Sequence, residues 1–120
     1  MKVNEDTKGI AFAAANFLDS KKAEDTVIID IASKASFADY MIIASGNSER
    51  QIANLADDLK DKLSENDIFA KNTEGEKSSG WILIDFGDLV VNILTKEMRQ
   101  RYNIEKVWGD CDFINIVEGV

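Results

Sequence analysis

Asp85 and Asp88 stand three residues apart in "WILIDFGDLVVNIL", at a bend between two apolar runs. Paired carboxylates perform acid/base chemistry when their surroundings force the two titrations apart and a substrate reaches both. With Asp30 and Asp39 folded beside them they could also hold a divalent cation. A hairpin bend accounts for the same residues more simply: Gly87 relieves backbone strain, and each aspartate bonds a local amide or faces water. The tripeptide "DFG" lacks the glycine-rich loop, the lysine strand and the catalytic loop that give it a role in kinases. Cys111 lies between Asp110 and Asp112, whose charge opposes thiolate formation. Histidine is absent from the chain, which removes the commonest base near neutral pH and a common metal ligand.

"SGNSER", Ser45 to Arg50, is a loop entering a helix, where free amides can hold an anion. Acids follow it and no phosphate-loop lysine accompanies it, so the expectation is an ordinary strand-to-helix turn capped by Ser48. Arg50, Arg99 and Arg101 read as solvated surface charge and not as a phosphate-binding patch. The expectation is therefore no catalytic residue, no cofactor and no metal. Trp81, Tyr102 and Trp108 point elsewhere, because large amphipathic rings bury area at low ordering cost and suit a protein contact.

The elements that must carry these residues can be read from periodicity. Ile10, Ala13, Ala14, Phe17 and Leu18 recur at helical spacing and predict a helix over about residues 4 to 19. "TVIIDIA" and "DYMIIASG" predict two neighbouring buried strands. Ser48 and Gln51 have capping-box spacing, followed by an Ile52, Leu55, Ala56, Leu59 and Leu63 stripe, which predicts a second helix. Ile68 to Ala70 predict an edge strand, followed by a flexible loop. Trp81, Leu83 and Asp85 share one face of the next strand, and "LVVNIL" is apolar on nearly both faces, as an interior strand is. Thr95 caps a helix over "TKEMRQRY", "NIEKVW" adds a turn, and "CDFINIVE" forms a final short strand or an ordered extension.

At 120 residues and 45% hydrophobic the chain fits one α/β domain over 1–120, a mixed sheet flanked by helices, with a short C-terminal extension after about 108. Fourteen basic against 22 acidic side chains leave a net charge of -8, which repels nucleic-acid phosphates and favours basic protein surfaces. Direct DNA binding is not expected. A single cysteine forms no intrachain disulfide, and no run is long enough to cross a bilayer, so the expectation is a cytoplasmic protein without a membrane partner.

Several ordered blocks resemble the ribosomal silencing factor family, also called the Iojap-related family. They are "KKAEDTVIIDIASKASFADYMIIASGNSERQI", then "WILIDFGDLVVNIL", then "YNIEKVW", and together they cover most of residues 4 to 108. The family's "ADY" block matches Ala38, Asp39 and Tyr40, and its "GTSERQ" block matches Gly46 to Gln51 with Asn47 for threonine. Its hairpin tryptophan matches Trp81, and its terminal pattern matches Tyr102 to Trp108. Many members carry a histidine where this chain has Asn92, which keeps a hydrogen-bonding group but cannot become cationic.

The resemblance implies an architecture like that of nucleotidyltransferases, without an established transferase site. It also implies binding to the large ribosomal subunit, through the universal large-subunit protein numbered fourteen, and steric obstruction of small-subunit joining. Translation would then be repressed under nutrient limitation by occupancy and not by an enzyme. On this reading Trp81, Tyr102 and Trp108 lie near the contact, Asp39, Asp88 and Glu105 are polar partners, and Asn92 belongs to the same surface. Two readings of other classes stand beside it: a small nucleotide-binding or nucleotidyl-transfer enzyme, and a dimerisation module. Family resemblance permits a homodimer, and an exposed edge near Phe69 offers a route to one.

Overall fold

The computed structural model describes residues 3–75 and 77–114. Helix α1 (Val3–Ser20) leads into strands β1 (Glu24–Asp30) and β2 (Tyr40–Gly46), then helix α2 (Glu49–Ser64). Strands β3 (Asn72–Glu74), β4 (Trp81–Asp85) and β5 (Leu89–Thr95) follow, then helices α3 (Lys96–Tyr102) and α4 (Ile104–Val107) and strand β6 (Asp112–Ile114). The six strands form one mixed sheet in the order β3-β4-β5-β2-β1-β6. Only the central β2–β5 pair is parallel, and the other pairs are antiparallel. A mixed α/β sheet with flanking helices is therefore present, as the sequence predicts.

Strand alternation divides the side chains between two faces. Ile28, Ile42, Ala44, Ile82, Ile84, Val91 and Ile93 point toward α1 and α2 and form the larger core with them. From α2 come Ile52, Leu55, Ala56, Leu59 and Leu63, the stripe read from the sequence. From α1 come Ala11, Ala14, Ala15 and Leu18, all fully buried. The buried line of α1 is thus rotated from the predicted one: Ala13 faces solvent, while Ile10 and Phe17 lie at the margin. Three alanines let the helix approach closely, and the bulky residues cover the rim.

Capping follows the sequence at its first step and departs at the second. Ser48 Oγ accepts from the Gln51 amide at 3.1 Å. The Gln51 side chain does not return to Ser48; its oxygen accepts from the Asn47 amide and its amide donates to the Lys22 carbonyl. The predicted edge strand at Ile68–Ala70 is also displaced. Those residues carry no strand, Phe69 is 62% exposed, and the edge strand is the wholly exposed Asn72–Glu74. β3 exists through backbone pairing with β4, so no burial pattern announces it. The C-terminal segment resolves toward a strand: β6 pairs with β1, and residues 115–118 of the predicted segment lie outside the described residues.

Candidate functional site: the second face of the sheet

The opposite face of the sheet presents Ile29, Met41, Ile43, Val90 and Leu94, and its cover is thinner. Two short helices and the loop between β1 and β2 supply Ala35, Met98, Ile104 and Trp108, all partly buried. Thr95 caps α3 by accepting from the Met98 amide at 3.3 Å, and Asn103 ends it in the left-handed conformation, φ 45°. That turn sends the chain back across the sheet toward β6. The consequence is a face closed at its centre and open at two ends.

Trp81 and Tyr102 meet at the first end, with ring centroids 5.2 Å apart at 45°. Trp81 is half-buried at the start of β4, and Tyr102 is 52% exposed at the end of α3. With Leu83 and Met98 they line a depression of about 350 Å³ whose rim includes Glu74 and Gly75. Gly75 adopts φ +89°, and a Cβ there would collide with the Trp81 carbonyl, so the rim requires glycine. Beneath the ring, Asn92 Oδ1 accepts from Trp81 Nε1 at 2.9 Å. Asn92 is only 1% exposed, so it reaches this surface through Trp81 and not by its own contact.

Trp108 lies apart from that pair. Its ring packs edge-on against Phe37 at 6.2 Å, with Lys34 Nζ 5.9 Å from its centroid. Lys34 also bonds Asp110 at 2.8 Å, which raises the lysine above its usual value and lowers the carboxyl below its own. Asp39 and Asp88 stand at the far end of the strands: both the Asp39 and Tyr40 amides donate to the Asp88 carbonyl. Register places Tyr40 beside Leu89 and Trp81 beside Leu94, five residues along β5, or about 17 Å at the usual strand rise. The structure therefore does not bring Asp39 and Asp88 to Trp81. Burial pushes the Tyr40 phenol upward, with Asp30 and Asp39 adding to the effect.

Arg99 corrects the sequence reading. Its side chain is 11% exposed and is held by Glu105 Oε2 at 2.7 Å and Ser45 Oγ at 2.9 Å, so it is a structural cation and not a solvated one. Glu105 is correspondingly engaged with Arg99 while its side chain stays 29% exposed. These groups border a cleft of about 680 Å³ whose lining has Asp25, Glu97 and Glu105 against Lys96 and Arg99. Lys96 is paired with Glu24 at 2.7 Å, so no free positive charge faces a phosphate there. At the hairpin, Asp85 Oδ1 accepts from the Gly87 amide at 2.8 Å, and Asp88 is exposed. Among the described residues no three acidic, cysteine or histidine side chains gather to hold a metal ion. Among them, too, no helix is long and apolar enough to cross a membrane.

The model of the family described as "Ribosomal silencing factor during starvation" matches residues 4–119. The chain belongs to the ribosomal silencing factor family. A ribosomal silencing factor of Bacillus subtilis is 39% identical over 113 residues, covering 94% of this chain and 96% of that one. The crystal structure of protein CV0518 from Chromobacterium violaceum superimposes with a TM-score of 0.78 at 35% identity, over 91% of this chain and 88% of the other. A mouse relative named "Mitochondrial assembly of ribosomal large subunit protein 1" is 29% identical over 97 residues, 78% of this chain and 42% of its own length.

Within this chain, Trp81 and Tyr102 are the sequence-predicted residues that converge on one surface. Leu83 and Met98 complete that surface and were not singled out as site residues. Both carried a readable signal: Leu83 lies two residues from Trp81 on a strand, and Met98 four residues from Tyr102 on a helix.

Proposed function

We propose that this ribosomal silencing factor binds the large ribosomal subunit and sterically blocks joining of the small subunit, repressing translation when nutrients are limiting. The observation that carries the reading is the Trp81–Tyr102 depression, a half-exposed aromatic and aliphatic surface on a domain of net charge -8. Such a surface suits a basic protein that offers an apolar anchor: charge accelerates encounter, and the buried ring contacts carry most of the affinity. The family description and the names of the relatives support a ribosomal partner.

On this proposal the partner is the universal large-subunit protein numbered fourteen, and the action is occupancy in the cytoplasm without catalytic turnover. The mixed α/β sheet then serves as a scaffold. Trp108 with Phe37 would form the outer part of the contact, and Asp39 and Asp88 a separate acidic margin. Self-association through an exposed sheet edge is compatible with the same account. Purified large subunits mixed with the protein should sediment as a complex that no longer accepts small subunits. Normal subunit joining at saturating protein would refute the proposal.

A further inference from the structure

Strand β5 is buried along Leu89–Leu94, and its single polar side chain in that run is Asn92. A buried amide is costly unless both its oxygen and its nitrogen find partners. Here only the oxygen does. The indole N–H can only donate, so the amide must turn Oδ1 toward Trp81, which fixes Nδ2 on the other side. Nδ2 is buried and has no hydrogen-bond partner among the described residues. A leucine has nearly the same shape and would remove the orphaned Nδ2, and the half-buried Trp81 indole it releases can turn its N–H to water, so folding alone gives little reason for asparagine at this position.

Register shows what the amide secures. Trp81 pairs across the hairpin with Leu94, whereas Leu83 pairs with Asn92. The indole therefore reaches diagonally, two residues back along β5, to make its bond. Held in that direction, it meets Tyr102 at 5.2 Å and forms one wall of the depression with Leu83 and Met98. A tryptophan without this tie could turn about its side-chain torsions, and ordering it on binding would cost affinity.

We infer that Asn92 is a positioning residue, which fixes the Trp81 indole in the free protein so that the depression is ready-made for an aliphatic side chain of a basic partner. The inference rests on the docking reading proposed above. It assigns Asn92 no contact with the partner and makes its half-satisfied amide a stability cost retained for binding.

The test is Asn92→Leu, examined with and without the ribosome. The urea midpoint of the variant should equal or exceed that of the wild type, while affinity for purified large subunits falls about threefold to tenfold, the loss of one hydrogen bond. In a Trp81→Phe background, Asn92→Leu should weaken binding no further, because the donor it acts through is gone. Without any partner, NMR should show slow solvent exchange of the Trp81 indole proton in the wild type and fast exchange in Asn92→Leu, with the Trp108 indole unchanged as the internal reference.

Equal exchange at Trp81 in both proteins would overturn the inference, as would a marked loss of stability, which would make Asn92 a structural residue. Wild-type binding matched by undiminished variant binding would overturn the positioning role alone. A wild-type protein that ignores large subunits would overturn the docking reading and the positioning role with it.

Discussion

The two faces of the sheet differ in composition and in cover: the strands bury aliphatic side chains on the first, and the second carries the buried Ser45 and Asn92 among its apolar residues. On one, the long helices α1 and α2 seal Ile28, Ile42, Ile84, Val91 and Ile93 from solvent. On the other, α3 and α4 are seven and four residues long and bury none of their own side chains completely. The first face resembles the inside of any domain, while the second leaves Trp81 half-buried and Tyr102 and Phe37 exposed. The contrast separates two roles: the sealed face holds the fold, and the thinly covered face leaves large rings exposed where the proposed docking would use them.

Substitutions on the two faces should therefore fail in opposite ways. Leu59→Ala removes a fully buried side chain from α2 and should cost about 2–5 kcal/mol of stability, read from the urea midpoint. Affinity of the remaining folded protein for large subunits should hardly change. Tyr102→Ala removes an exposed ring and makes no hole in the core, so stability should fall by only about 0.5–1.5 kcal/mol, the contact with Trp81. Its affinity should fall by about 2 kcal/mol, the usual cost of an aromatic anchor. A Tyr102→Ala protein that binds normally would break the contrast.

Glu105→Gln sharpens it. Because Glu105 holds the nearly buried Arg99, the substitution should destabilise by up to about 1.5–3 kcal/mol, the value of a charged hydrogen bond. Equilibrium unfolding and subunit affinity measured together decide its role: a loss of affinity with stability kept would move Glu105 from the fold to the partner surface.

The smallest effect belongs to the Lys34–Asp110 tie, which links the β1–β2 loop to the segment after α4. Asp110 is lowered from 3.8, so its contribution is present above that value and disappears as pH falls through the lowered one. Lys34 is raised from 10.5, so the same contribution is intact below that value and disappears as pH rises through the raised one. Both groups are exposed to solvent, and salt should screen the tie. Asp110→Asn should flatten this acid-side dependence slightly in a pH series of thermal unfolding, and leave the sealed face untouched.

What the sequence disclosed follows the same division. The α2 stripe, the buried run of β5 and the Asp85–Asp88 bend were legible because burial and turn chemistry repeat at fixed spacing. β3 was not, since an exposed Asn-Thr-Glu strand is made by backbone pairing alone. Arg99 looked solvated because its partners, Ser45 and Glu105, lie on strand β2 and beyond a left-handed turn. Trp81 and Tyr102 could be named but not joined, and the bond to Asn92 depends on a diagonal across the β4–β5 register. Residue types announced the rings; only the fold shows that Trp108 stands with Phe37 and not with them.

The central claim is most directly tested by following light scattering as large and small ribosomal subunits join while the protein is titrated in. The wild type should abolish joining at saturation, and Tyr102→Ala, equally folded, should need about thirtyfold more protein to do so, the ratio that corresponds to about 2 kcal/mol. Equal potency of the two proteins, or joining that continues at saturating wild type, would contradict the account.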